Sequence, residues 1–113
     1  MIKTIKKSVD LLEDGYRDIT LTFIFERLEI SIYSSAFDKM DPNDWHKLLI
    51  TDGFALNLSD YDKQDCEEYI YITNKNGQIH FKTTGTSTST CYIVDIDDCR
   101  DEILKLPEWF NNL

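Results

Sequence analysis

Residues 18–34, Asp-Ile-Thr-Leu-Thr-Phe-Ile-Phe-Glu-Arg-Leu-Glu-Ile-Ser-Ile-Tyr-Ser, decide the fold class. Ile19, Leu21, Phe23 and Phe25 alternate with Thr20, Thr22, Ile24 and Glu26. This is the period of two expected of a strand with one buried face. The apolar phase then changes, and Leu28, Ile30 and Ile32 carry it. A tight turn at Glu26-Arg27 pairs Phe25 with Leu28, Phe23 with Ile30 and Leu21 with Ile32, so that all six share one face. A β-bulge in one long strand is the alternative. Glu-Arg is a poor two-residue turn, but an unbroken strand over 18–34 is unusually long, so the hairpin is preferred.

A second hairpin is written more plainly. Tyr69–Thr73 and Ile79–Thr83 flank Asn76-Gly77, and Asn-Gly supplies the two positive φ angles of a type I′ turn. The register that follows pairs Ile72 with Phe81 towards the core and Tyr71 with Lys82 outside. Tyr92, Val94 and Ile96 alternate as a last strand, and Phe54, Leu56 and Leu58 as a shorter one. Thr83–Thr90 is nearly all Thr, Ser and Gly and reads as a loop or a weak edge.

Helices flank these strands. Ile2, Ile5, Val9 and Leu12 have helical spacing before Gly15, which predicts an N-terminal helix. Its charges oppose the macrodipole, with lysines first and Glu13 and Asp14 last. Asp41-Pro42-Asn43-Asp44 predicts a helix over about 42–52, with Asp41 as cap and Pro42 in its first position. Asp97 or Asp98 is expected to cap a C-terminal helix over about 98–106, after which Pro107 ends it or opens a short turn holding Trp109 and Phe110. The sum is an α+β fold in one domain, 1–113, built on a mainly antiparallel sheet of five to six strands.

The charge narrows the function. The chain has 21 Asp plus Glu against 12 Lys plus Arg, a net charge of −9 on 113 residues. Direct nucleic-acid binding needs a basic face and is not expected. No run of 18 apolar residues offers a membrane span, and no apolar stretch of signal-peptide type follows Lys6-Lys7, so the expected location is the cytoplasm. Cys66, Cys91 and Cys99 are expected as reduced thiols, with Cys91 a small hydrophobe in its strand.

Two acidic clusters stand out. The first is Asp60, Asp62, Asp65, Glu67 and Glu68, with Tyr61 and Tyr69 beside it; the second is Asp95, Asp97, Asp98, Asp101 and Glu102. Ten carboxylates thus lie between Asp60 and Glu102, against Lys63, Lys75, Lys82 and Arg100. The first cluster fails as a calcium loop, because its sixth position is Asp65 rather than Gly and its twelfth Tyr71 rather than Glu. The second has a purely structural use, since carboxylates suit a helix N-terminus.

His46 and His80 are the only histidines, and neither has a spacing to cysteine that suggests a nucleophile–base pair or a zinc site. No cofactor, metal or catalytic residue is expected. The composition as a whole resembles small acidic inhibitors: toxin-immunity proteins, phage-encoded anti-defence proteins such as anti-CRISPR proteins, and DNA mimics. The resemblance implies a basic protein target, such as a nuclease or nucleic-acid-binding complex. The expected contact residues are then Asp60, Tyr61, Asp62, Asp65, Glu67, Glu68, Tyr69, Asp95, Asp97 and Asp98. A structural subunit acting as a homodimer or in a larger assembly is the second reading. A small enzyme with a carboxylate site is the third.

Overall fold

The computed structural model describes residues 2–13, 15, 17–34, 36–58, 69–84 and 89–113. Strands β1 (Ile2–Leu11), β2 (Arg17–Phe25) and β3 (Glu29–Ser34) form an antiparallel sheet in that order. Helices α1 (Ala36–Lys39) and α2 (Asn43–Ile50) follow. Strands β4 (Ala55–Asn57), β5 (Tyr69–Lys75), β6 (Gln78–Thr84) and β7 (Ser89–Asp95) form a second antiparallel sheet, again in chain order. Helices α3 (Ile96–Ile103) and α4 (Leu106–Asn111) complete the chain.

The α+β class and the antiparallel pairing stand, but the single sheet of five to six strands is corrected to two sheets of three and four. The helical insertion at 36–50 interrupts the meander, and the two halves then bury their apolar faces in one core. Phe23 of β2 meets Phe81 of β6 with ring centroids 5.0 Å apart and planes tilted by 58°. Ile19, Leu21, Ile30 and Ile32 from the first sheet are buried in the same core as Leu56, Ile72 and Ile79 from the second.

The N-terminal helix is also corrected: residues 2–11 are strand β1. The helical spacing misled because Ile2 and Ile5 are both buried although three residues apart. In a regular strand they would lie on opposite faces. A register irregularity between Ile2 and Thr4 restores the phase. Val9 and Leu12, which a helix would have turned inward, are exposed. Gly15, at φ +83°, serves the β1–β2 turn rather than a helix end.

Both sequence-derived registers hold. Leu21 pairs with Ile32 and Phe23 with Ile30, and the Phe25 N–H donates to the Leu28 carbonyl at 2.8 Å, so the hairpin and not the bulged strand is formed. Ile72 pairs with Phe81 and Tyr71 with Lys82 around Asn76 (φ 54°) and Gly77 (φ 79°).

The helices close the remaining sides of the core. At α2 the Asn43 N–H donates to Asp41 Oδ1 at 2.9 Å and Pro42 is already helical, as the sequence predicts. Trp45 is fully buried, stacked on Phe37 at 5.8 Å and on Phe110 of α4 at 6.2 Å. Trp109 meets Phe110 edge-on at 4.9 Å, and both are partly buried against the core. Asn74 ties the second sheet to α2: its Nδ2 donates to the Leu48 carbonyl at 2.9 Å, while its backbone bonds Gly53 and Phe54.

Candidate protein-binding surface

The described part of the acidic surface lies where β7 runs into α3. Asp95 ends β7 opposite Gln78, and Asp97 and Asp98 occupy the first turn of α3. The expected capping by Asp97 or Asp98 is corrected. The helix begins at Ile96, whose N–H donates to the Gly77 carbonyl of the β5–β6 turn at 3.0 Å. That long-range bond satisfies a donor that a side chain would otherwise serve. Asp95 precedes the helix in extended conformation and makes no side-chain capping bond.

Asp95, Asp97 and Asp101 are exposed, and Asp98 and Glu102 are half-buried. Arg100 holds Asp97 at 2.6 Å and Lys105 holds Glu102 at 2.8 Å. The Lys105 ammonium is held above its ordinary pKa, first by its hydrogen bond to Glu102 and then by that carboxylate's charge. Exposed pairs of this kind contribute little to stability. They lower the local charge without removing the carboxylates from the surface.

Asp60, Tyr61, Asp62, Asp65, Glu67 and Glu68 lie outside the described residues. Their anchors are placed. Asn57 ends β4 and Tyr69 opens β5, at the end of the sheet remote from Asp95. The seven residues of β5 set these ends about 20 Å apart. The backbone therefore roots the two acidic clusters at opposite ends of one sheet.

Among the described residues, the histidines and cysteines do not assemble a catalytic pair. His46 is exposed on α2. His80 and Cys91 share the outer face of the second sheet, at diagonal positions on β6 and β7 that stand roughly 7–8 Å apart between Cα atoms. A nucleophile and its base need hydrogen-bond contact, and the shielded His80 Nε2 has no partner. Cys91 lies in a strand as expected but is exposed, not packed as a small hydrophobe. Cys99 is buried, and desolvation, reinforced by the charge of Asp98, pushes its thiol up to about 12. It is therefore a poor nucleophile at neutral pH.

A groove of about 210 Å³ opens between β3 and the inner face of the second sheet, with Ile30, Ile32, Ile70, Phe81 and Tyr92 in its lining and Glu29 at β3. It is below the usual size of a small-molecule site. Among the described residues, no three His, Cys, Asp or Glu side chains gather to hold a metal ion, and no helix is long and apolar enough to cross a membrane.

One acidic feature escaped the sequence reading. Asp10 of β1 lies directly across from Asp18 of β2, and the Tyr33 hydroxyl of β3 donates to Asp18. That bond and the neighbouring charges of Asp18 and Asp10 raise the Tyr33 pKa. Like charges in opposed positions are unfavourable. The pair becomes visible once 2–11 is read as a strand, which the helical spacing concealed. Beside it the hairpin tip exposes Leu11, at 76% of its surface, and Leu12.

Comparison of the chain with protein-family models, with curated proteins and with solved structures yields no match.

Proposed function

We infer that this chain works by binding protein, as a stoichiometric inhibitor that presents carboxylates to a basic, nucleic-acid-handling target. The observation that carries this reading is the lopsided 60–102 span, ten acids against four bases, together with the exposure of Asp95, Asp97 and Asp101 at the head of α3. A rigid base supports that head, because α3 is bonded to the β5–β6 turn and its apolar side is buried through Ile96, Cys99 and Ile103. Closely spaced carboxylates on a rigid surface offer a basic groove what a nucleic-acid backbone offers it. Charge complementarity of this kind acts mainly on the association rate and on specificity.

The test is capture of a basic nuclease or nucleic-acid-binding protein from lysate, followed by purified components. The reading expects one-to-one binding that blocks the target's nucleic-acid contact and weakens steeply with salt. It also expects that Asp95→Lys with Asp97→Lys and Asp101→Lys slows association while the fold is retained. Unchanged inhibition by the triple variant would remove this surface from the reading. A target bound equally well at high salt would remove the electrostatic mechanism.

A further inference from the structure

Strand β1 runs on past the cover of the second sheet. Ile5, Lys7, Val9 and Leu11 share one phase of the strand. Ile5 is buried, but Val9 and Leu11 are exposed, and so is Leu12 after them. Among the described residues, Leu11 is the most exposed of the large apolar side chains. A contiguous apolar patch rimmed by polar groups marks a contact site, whereas single exposed apolar side chains do not. Because β1 is an edge strand, a partner at its free side reaches both faces of the tip.

The polar rim is a pair of carboxylates. The Phe25 N–H bonds the Leu28 carbonyl, so in the antiparallel alternation the odd-numbered residues of β2 bond β3 and the even-numbered ones bond β1. Asp10 and Asp18 are thus a hydrogen-bonded pair with Cα atoms about 5.5 Å apart, and their side chains leave the same face. The Tyr33 hydroxyl donates to Asp18 Oδ2 and holds that carboxylate in place. Among the described residues, no cation lies in salt-bridge contact with either acid. Arg17 belongs to the other face and is engaged by Asp38 at 2.6 Å. Lys6 shares the face of Asp10 but stands four residues away along β1, about 13 Å, beyond the ~8 Å screening length at physiological salt.

We propose that the β1–β2 tip is a docking element for a protein partner that brings an arginine to Asp10 and Asp18 and an apolar pocket to Val9 and Leu11. This goes beyond the inhibitor reading and uses residues other than the head of α3. Charge selects the occupant. From Asp10 to Asp18 the sequence holds Asp10, Glu13, Asp14 and Asp18 against Arg17 alone, and that arginine is already engaged. A second copy of this chain, an anionic bilayer or a nucleic acid would add negative charge to this tip and is repelled. The paired carboxylates also select the kind of cation. Opposed like charges are unfavourable in the free protein, and a cation between them relieves that cost. A guanidinium offers several donors in one plane and serves both carboxylates at once, whereas an ammonium is a compact point charge. Leu11 follows Asp10 on the edge strand and points to the opposite face, so the partner grips the tip from both sides.

Amide NMR of the isotope-labelled full chain tests the proposal, with the capped peptide acetyl-Trp-Arg-Trp-amide as the probe. The expected result is saturable shifts at Val9–Leu12, Asp18 and Tyr33. Asp10→Asn keeps the side-chain shape and removes the repulsion, so its melting temperature is expected to equal or exceed that of the parent chain. The same variant should weaken the peptide on the order of fivefold through the lost charge-assisted bonds. Leu11→Ser, at a fully solvated position, should weaken it as well while the fold is retained. Acetyl-Trp-Lys-Trp-amide should bind the parent chain more weakly than the arginine peptide. Absence of saturable shifts at the tip, equal binding to the folded Asp10→Asn and Leu11→Ser variants, or equal binding of the lysine peptide overturns the proposal. Shifts confined to Asp95–Asp101 overturn it too, and leave the reading of the α3 head standing, because the two surfaces report separately in one spectrum.

Discussion

The β2–β3 and β5–β6 hairpins both reverse within a tight turn, yet different forces set their registers. At Asn76-Gly77 the turn itself dictates the pairing. Both residues hold positive φ, the twist of the turn matches that of the strands, and the ladder runs from Lys75–Gln78 to Tyr69–Thr84 without a break. At Glu26-Arg27 neither residue has positive φ. Leu21, Phe23, Ile30 and Ile32 set the register there, because a slip of one residue would turn one strand's pair, Ile30 and Ile32 or Leu21 and Phe23, away from the core. A register can thus be specified within a few residues of the turn, or by burial against residues far along the chain.

This contrast can be broken from either side. Phe23→Ala should have the largest effect. It removes a fully buried ring that meets Phe81 across the two sheets, and the cost expected of such a change is about 3–5 kcal/mol. In a domain of this size that corresponds to a fall in melting temperature of roughly 12–20 °C by calorimetry. A loss below about 1 kcal/mol would show that the core does not hold the β2–β3 register.

Gly77→Val should come next. Space around Gly77 is open, so the cost is the strain of φ +79° alone, about 1–2 kcal/mol. Denaturant melts measure it, and faster amide exchange near Lys75–Gln78 would place the damage at the turn.

Tyr33 gives a smaller, pH-dependent signal on the core-held hairpin. Its pKa is raised, so the folded state holds the phenol proton more tightly than the unfolded chain. The associated stability is present below pH 10 and is lost as the pH rises through the higher folded value. Absorbance titration should place Tyr33 above its ordinary pKa of 10.0, and Asp18→Asn should bring the midpoint down. An unmoved midpoint in that variant would show that Asp18 does not cause the shift.

Glu26→Ala and Arg27→Ala should do least, within about 0.5 kcal/mol, because these exposed turn residues do not set the register. A larger loss in chemical denaturation would mean that the turn has a specificity of its own.

Much of the molecule was legible in its residues. Both hairpin registers, α2 with its Asp41-Pro42 start, and the short turn opened by Pro107 follow from local patterns. The errors have local causes too. Ile2, Ile5, Val9 and Leu12 fit a helix because a strand irregularity restores a helix-like spacing for the first two and solvent takes the rest. The reversed lysine and glutamate order was the contrary signal. The start of α3 is not legible locally, because its first N–H bonds a carbonyl nineteen residues away, at Gly77. Of the candidate contact residues, Asp95, Asp97 and Asp98 could be read as a strand end and helix start. That Arg100 engages Asp97 was not foreseen.

The sequence by itself determined the strand class of 18–34 and 69–83, both turns and the acidic balance. Alternation, turn φ angles and charge are properties of neighbouring residues. Tertiary structure decided that the strands divide into two sheets, that 2–11 is an edge strand, and that the roots of the two acidic clusters lie at opposite ends of one sheet. Those outcomes depend on which apolar face covers which. Phe23 against Phe81 is a contact that no local pattern in either strand encodes.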